Sequence, residues 1–187
     1  MCKDGKSYLI SVDPGIRGSG IAIFNFNSKK LFSAAYVKNT VLKGHNAEAC
    51  RAMAQALRAW CYDLGFTRDD FVIKLAVEWP LMLPAGQQKG DQNDLPPLAA
   101  VSACFAMSFP SVPCTTYLPR EWKHTVEPDV MTRRIHKRLS EDELGHVQWM
   151  SKSRDPSCGM MHNAFDAVGI GLKVLGRLEP RKTYAGV

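Results

Sequence analysis

Three acidic residues stand where a carboxylate could take part in chemistry. Asp13 ends an apolar run over residues 8–12, Glu78 closes a second apolar run, and Asp166 lies in a Gly/Ala-rich segment with helical spacing. Carboxylate oxygens are the hard ligands that Mg²⁺ prefers, so three acids on three separate elements could converge at one end of a sheet and hold divalent ions. Two such ions about 3.5–4 Å apart can activate a water and stabilise a leaving oxygen.

Each acid also has a purely structural interpretation. Asp13 could cap the Pro-Gly turn that follows it, as Asp often does. Glu78 could pair with a surface lysine, because its strand ends directly after it. Asp166 could form a salt bridge at the edge of a buried helix face, since helix interiors disfavour Asp. Gly18 and Gly20 favour the chemical interpretation of Asp13, because they predict a backbone that another group approaches closely.

A histidine and an asparagine accompany Asp166. His162 precedes it by four residues and Asn163 by three, so both can share its helix face. A histidine there could bind metal as neutral imidazole, orient a water or stabilise a charged transition state. It could equally be a solvated or capping residue. Gly169, one turn after Asp166, predicts a close approach of this helix to a neighbour.

The elements that must position these residues follow from periodicity and turn signals. The predicted strands cover residues 8–13, 19–26, 31–37, 71–78 and 114–118, the last ending before Pro119. The predicted helices cover residues 47–64, 98–109 and 161–175, and residues 128–150 in two pieces separated near Gly145. Asn46 and Gly65 are the expected N-cap and C′ residues of the first helix. The strand 71–78 is apolar enough to be buried on both faces. The order indicates an α/β fold with a five-stranded mixed sheet flanked by helices.

Composition limits the class of protein. With 187 residues and 45% hydrophobic residues, the chain is expected to form a single domain over 1–187. No run approaches the roughly 20 apolar residues of a transmembrane helix, and the N-terminus lacks the apolar core of a signal peptide. Six cysteines without C-x-x-C spacing predict a reduced protein without structural zinc. The net charge of +6 favours a polyanionic partner, although many basic proteins bind no nucleic acid.

At these residues the chain resembles the RuvC-type Holliday junction resolvases of the RNase H-like superfamily, as a phage or divergent member. The resemblance runs through nearly the whole chain, and its first block is the most specific. It is carried by residues 12–15 with 18–22, by 76–78 and by 162–167, with weaker support from 117–123.

The resemblance implies a fold, a chemistry and a set of partners. Asp13, Glu78 and Asp166 would be metal ligands for two Mg²⁺ ions, for which Mn²⁺ can substitute, and Lys123 would contact phosphate or stabilise charge. The family has Asp or His three residues before the last Asp; Asn163 stands there, so either His162 or Asn163 serves. The protein would be a homodimer that makes paired cuts in branched DNA. The helix before the fifth strand would form part of the dimer interface, and the enzyme would act in the cytoplasm of a bacterial cell or phage-infected host.

Further basic and apolar residues are candidates for nucleic-acid contacts. Arg17 follows Asp13 in the turn. Leu81, Met82 and Leu83 could stack against bases or pack on the sheet edge. A basic face that could bind phosphates lies on a predicted helix and consists of Arg133, Arg134, Lys137 and Arg138. The alternative is a solvated surface whose positive charge is balanced by the acids at 141–143.

Three other functions compete with a junction resolvase. The same site could belong to a less selective debranching or RNA-processing nuclease, or the chain could bind junctions without cutting them. Intact Asp13, Glu78 and Asp166 disfavour an inactive protein. A nucleotide-binding enzyme of the actin and hexokinase type is disfavoured, because 187 residues are too few for two paired domains and the chain has no second phosphate loop.

Overall fold

A computed structural model describes residues 7–41, 46–66, 72–81 and 94–178. Five strands form one sheet in the order β3-β2-β1-β4-β5. β1, β2 and β3 are antiparallel neighbours, whereas β4 and β5 run parallel to β1. The strands are β1 (Tyr8–Asp13), β2 (Gly18–Asn25), β3 (Leu31–Lys38), β4 (Val72–Glu78) and β5 (Cys114–Tyr117). The helices are α1 (Ala47–Asp63), α2 (Leu95–Met107), α3 (Pro119–Trp122), α4 (Pro128–His136), α5 (Glu141–Gly145) and α6 (Met161–Val174). The predicted α/β fold with a five-stranded mixed sheet flanked by helices is confirmed.

The sheet separates two apolar cores, because side chains alternate between its faces. On one face Leu9 and Phe24 pack against α6 and α4, and on the other Ile10 and Ile23 pack against α1 and α2. The expected burial of β4 on both faces is wrong at Ile73, which is 39% exposed. The β1–β4 pairing shifts there, with Tyr8 opposite Val72 and Leu9 opposite Lys74, so Ile73 lies at an irregularity.

The observed ends of a helix agree with the predicted ends where the sequence contains capping residues. The side chain of Asn46 accepts a hydrogen bond from the Ala49 N–H at 2.9 Å, and Gly65 has a φ of 90° after α1. By contrast, α2 begins three residues before its predicted start, because Pro96 and Pro97 fit a first helical turn, where no N–H partner is needed.

Two helical predictions after β5 need correction. Pro119 begins the short helix α3 instead of only ending the strand. The break between α4 and α5 lies at residues 137–140, not near Gly145, which is the last residue of α5. Ser140 causes the restart: its hydroxyl accepts from the Glu143 N–H, and the Glu143 carboxylate accepts from the Ser140 N–H.

Glu143 joins α5 to β3 and to the segment after α6. Its carboxylate accepts hydrogen bonds from the Leu31 N–H at 2.8 Å and from the Arg177 guanidinium at 2.6 and 3.0 Å. Although burial alone would raise it, these partners and Ser140 hold the pKa of Glu143 at about 2.

No helix in the described part of the chain is long and apolar enough to cross a membrane. Five cysteines lie among the described residues, and all five are free thiols.

Candidate active site

Two of the three acids end neighbouring parallel strands. Asp13 is the last residue of β1 and Glu78 the last residue of β4, and Val12 pairs with Val77 just before them. The carboxyl ends of parallel strands meet at the same edge of a sheet, so both side chains project at one edge. The turn after Asp13 is held by the Ser19 hydroxyl, which accepts from the Gly15 N–H and donates to the Gly15 carbonyl, both at 3.0 Å. Asp13 is therefore not needed as the cap of that turn.

Helix α6 brings the third acid to this edge. The Ser11 hydroxyl of β1 donates to the Ala167 carbonyl at 2.8 Å, which fixes α6 against the central strand. At the start of the helix a Cβ atom on Gly20 would collide with the Asn163 carbonyl, so only glycine permits this approach. The predicted close approach at Gly20 is thus confirmed. It places Asp166, 8% exposed, beside the two strand ends.

Lys123 links the acids from a different direction. Its ammonium lies 3.1 Å from Asp166 Oδ2 and 3.6 Å from Glu78 Oε2. The preceding Trp122 donates from Nε1 to Glu78 Oε2 at 2.7 Å. Gly169 lets the Trp122 ring pack on α6, since a Cβ there would clash with it, and the close approach predicted at Gly169 is confirmed. The purely structural interpretation of Glu78 and Asp166 was an ion pair. Both acids do form an ion pair, and their partner is Lys123.

The site is a cluster of like charges with one internal cation. Burial, then the nearby Glu78 and Asp166, raise the pKa of Asp13 well above its ordinary value. Burial also raises the pKa values of Glu78 and Asp166, and Lys123 opposes the rise. Burial lowers the pKa of Lys123, but the surrounding carboxylates outweigh that effect and raise it. Burial is the largest cause of the raised pKa for all three acids, and repulsion between the carboxylates adds to it, so a bound cation would favour their ionised forms.

The donor set suits a divalent cation of the Mg²⁺ type. Carboxylate oxygens at a partly open edge are hard ligands, and such sites need only a few of them. In the described part of the chain no three His, Cys, Asp or Glu side chains form a ready metal cluster. The cation that Glu78 and Asp166 share in this structure is the Lys123 ammonium. The chemistry of Asp13, Glu78 and Asp166 suits such an ion, and these are the residues that could hold it, provided that Lys123 leaves its place between Glu78 and Asp166.

His162 and Asn163, the two candidates for a fourth site residue beside the three acids, differ in how they relate to the site. His162 is half-buried, and its charge acts on Asp166 to lower the pKa of that carboxyl. Asn163 is also half-buried, and its backbone carbonyl packs on Gly20. His162 therefore lies close enough to Asp166 to affect the pKa of that carboxyl, whereas the Asn163 backbone packs on β2.

The predicted nucleic-acid residues fall into two groups. Arg17 is exposed in the β1–β2 turn, next to the acidic cluster along the chain. On α4, Met131, Thr132 and Ile135 are buried, and the opposite face lines a groove of about 530 Å³. That groove is lined by Val130, Arg133, Arg134, Lys137 and Arg138. Among the apolar candidates, Leu81 is half-buried, and Met82 and Leu83 lie outside the described residues.

Two residues of the site region were missed from the sequence. Trp122 orients Glu78 through its indole N–H, yet its only sequence signal is its place beside Lys123. Tyr36 of β3 lies with its hydroxyl over Gly18, close enough that a Cβ on that glycine would collide with it. The glycine at 18 predicted a close approach there, but not its partner.

Comparison with solved structures identifies the fold. Thermus thermophilus RuvC in complex with a Holliday junction substrate is 16% identical, with a TM-score of 0.58 over 93% of this chain and 99% of that chain. Another structure of Thermus thermophilus RuvC is 15% identical, with a TM-score of 0.54 over 92% and 99%. The fowlpox virus Holliday junction resolvase is 16% identical, with a TM-score of 0.47 over 92% and 99%.

Sequence comparison alone finds no relative. No protein-family model matches the chain, and no curated protein matches it. The resemblance inferred from the residues is confirmed at the level of structure: the chain has the RuvC-like form of the RNase H-like fold.

Proposed function

We propose that this protein is a divalent-metal-dependent endonuclease that cuts branched DNA, with the four-way junction as its substrate. The observation that carries the proposal is the convergence of Asp13, Glu78 and Asp166 around Lys123 at one edge of a sheet with the RuvC-like fold. The similar structure of Thermus thermophilus RuvC contains a Holliday junction substrate.

The acids would hold two Mg²⁺ ions, for which Mn²⁺ can substitute. When bound, such ions supply an activated water and neutralise the leaving oxygen. Trp122 holds the Glu78 carboxylate in place, and Ser11 fixes α6, so that Asp166 faces the strand ends. Lys123 keeps the acids together before the ions arrive and then offers its ammonium to the phosphate under attack. His162, beside Asp166, is the favoured fourth residue.

Positive surface residues would hold the DNA backbone on either side of the cut. Arg17 is exposed in the turn that follows Asp13. The α4 groove brings Arg133, Arg134 and Lys137 together on one helix face. Neighbouring phosphates of a DNA backbone could contact these three side chains together. These contacts give affinity without sequence selectivity.

The active unit would be a homodimer built on α2. That helix, LPPLAAVSACFAM, contains no charged residue, yet Ala103 is exposed and Met107 is 78% exposed. A two-fold pair of sites would explain paired cuts, because each site cuts one strand. We treat residues 1–187 as one nuclease domain, acting where the junction DNA is, in the cytoplasm of a bacterial cell or phage-infected host.

The test is a cleavage assay on a synthetic four-way junction, with linear duplex, flap and RNA–DNA hybrid as comparisons. Each substrate is tested with Mg²⁺, with Mn²⁺ and with EDTA. We expect paired symmetric nicks confined to the junction, and none in EDTA. Equal cutting of flaps or hybrids would instead identify a less selective nuclease. Binding without any cutting would identify a junction-binding protein.

Asp13→Asn is the variant that tests the metal site. We expect cleavage to fall by at least about 1,000-fold, because a charged metal ligand is replaced by a neutral one. Junction binding in EDTA, measured by fluorescence anisotropy, should be retained, since the phosphate contacts are untouched. Asp129→Asn on exposed α4 is the matched control and should cut like the wild type. Wild-type cleavage by Asp13→Asn would contradict the assignment.

A further inference from the structure

A second pocket includes Arg17 in its lining, and none of its other lining residues has a part in the proposed reaction. Its volume is about 310 Å³, within the size range of small-ligand sites, about 300–1,000 Å³. It is lined by Arg17, Tyr36, Lys38, Asn39, Val41 and Met160.

The strand register places Tyr36 of this pocket on the same face of the sheet as Asp13. Asp13 pairs with Gly20, and Gly20 pairs with Tyr36, so the three residues form one row across β1, β2 and β3. Directly paired side chains lie on the same face. The start of α6 covers the middle of the row, where the Asn163 carbonyl contacts Gly20. Asp13 and Tyr36 therefore flank the first turn of α6, with Cα atoms about 10 Å apart, two strand spacings.

The walls of the pocket are aromatic and apolar. Tyr36 is half-buried, and its hydroxyl makes no hydrogen bond with any residue that the structure describes. Val41 is half-buried and Met160, just before α6, is 39% exposed. A flat ring could contact all three side chains while the phenol hydroxyl offered one polar contact.

The rim of the pocket has two positively charged side chains that could bind an anionic group. Arg17 and Lys38 are exposed, and neither forms an ion pair within the described ranges. Asn39, in contrast, is fully used: its Nδ2 donates to the carbonyls of Ile16 at 2.7 Å and Ala49 at 2.9 Å. Its Oδ1 accepts from Val41 N–H at 3.0 Å. Asn39 thus builds the wall, and the two cations are left for an anionic ligand.

We propose that this pocket holds one unstacked nucleobase of the strand being cut, with the base against Tyr36 and Met160 and its phosphates against Arg17 and Lys38. The proposal rests on the proposed function, because it assumes that the acids act on that strand. A stacked strand, which is more compact than an unstacked one, advances about 3.4 Å per nucleotide, so a separation of about 10 Å corresponds to at most about three nucleotides between the held base and the cut. The pocket would then contribute to the choice of cutting position.

The first experiment measures binding without cleavage. Protein with ¹³C-labelled methionine methyl groups is titrated in EDTA with the 5′-phosphorylated dinucleotide pdTpdT and with the abasic form of the same dinucleotide, which keeps both phosphates and lacks both bases. Met160→Leu assigns the Met160 methyl signal. We expect pdTpdT to shift that signal and to bind at least about fivefold more tightly than the abasic dinucleotide, since the two probes differ only in the bases that can stack on the aromatic ring.

Variants test the two halves of the pocket separately. Tyr36→Leu should weaken pdTpdT binding about tenfold, whereas Tyr36→Phe, which keeps the ring, should retain most of it. Lys38→Ala should weaken binding of both probes. Lys30→Ala removes the same charge from the opposite end of β3 and should change neither. Because Lys38 is exposed, its variant keeps the test valid even if Tyr36→Leu unfolds.

Equal binding of the two probes would reduce the pocket to an anion site and overturn the proposal, and so would the absence of any Met160 shift. The cutting positions on a junction give the second readout. If the protein cuts junctions and Tyr36→Leu leaves the distribution of cutting positions unchanged, the pocket proposal is wrong. If the protein cuts nothing yet binds pdTpdT through Tyr36, the pocket stands and the proposed function fails.

Discussion

The chain supplies its own cation to the cluster of acids. Lys123 lies within 3.6 Å of Glu78 and Asp166, and Trp122 donates a hydrogen bond to the same Glu78 oxygen that Lys123 approaches. Without that ammonium, the buried carboxylates would repel one another and would be protonated more readily. Lys123 therefore keeps the acids converged in the free protein. In the proposed enzyme, a divalent ion between Glu78 and Asp166 would require the lysine to move.

The residue that assists Asp166 can be identified by comparing two neighbouring alanine variants. We expect His162→Ala to slow junction cleavage by about 100-fold, the order of a lost acid–base or charge-stabilising group. We expect Asn163→Ala to slow it less than tenfold, because the backbone carbonyl that packs on Gly20 is retained. Single-turnover rates at saturating Mg²⁺ provide the comparison. The reverse order of the two rates would assign the fourth position to Asn163.

At the scale of elements, α6 determines whether the site exists at all. It carries Asp166, and it is held on the sheet by Ser11 near its middle and by the Gly20 contact at its start. Gly169 opens its other side to Trp122. Glycines at positions 20 and 169 let α6 lie close to β2 and to Trp122. A side chain added at either position would push α6 away from its neighbours and would move Asp166 away from the other two acids.

Gly20→Ala tests this dependence. The new methyl group would collide with the Asn163 carbonyl, which is backbone and cannot rotate away. We expect a loss of about 2–4 kcal/mol in the free energy of unfolding, as for other overpacked or strained core positions, together with reduced cleavage. Urea denaturation measures the loss.

Gly145→Ala is the matched control, because its Cβ would meet nothing within 4 Å. It should unfold within about 0.5 kcal/mol of the wild type, as expected for surface substitutions. A similar loss in both variants would mean that the contact of α6 with β2 is not the cause.

The sequence predicted the five strands well, because apolar runs and their ends are local signals. Asn46 and Gly65 likewise marked α1 by their own chemistry. Local signals failed for α3, since four residues carry no periodicity. They also failed for Trp122, whose hydrogen bond to Glu78 joins positions 44 residues apart. Such contacts depend on how α3 packs against α6, and a short sequence pattern cannot predict that packing.

At the scale of the whole molecule, α2 presents an apolar outer side that no other described residue covers at Ala103 and Met107. Its inner side buries Val101, Ser102 and Phe105 against the sheet and α1, while the outer side is apolar and uncharged. An exposed apolar helix face of this type marks an interaction surface. A second copy related by a two-fold axis would cover it and would set two cutting sites in fixed relation.

Ala103→Glu tests the dimer. Two like charges facing each other across a two-fold interface cost several kcal/mol, so the dimer dissociation constant should rise at least about 100-fold. Sedimentation velocity gives the oligomeric state, and junction cleavage should change from paired cuts to single nicks. Ala59→Glu on exposed α1 is the control and should remain dimeric. A wild-type protein that sediments as a monomer at micromolar concentration would contradict the dimer.

The hydrogen bond between Ser11 and Ala167 joins positions 156 residues apart. A ribosome adding about 5–20 residues per second needs roughly 8–30 s to make that stretch. During this interval the growing chain already holds Asp13, then Glu78, then Lys123, but no Asp166. A truncated or unfinished chain therefore lacks the last member of the cluster, and the cluster is completed only when α6 docks on the sheet.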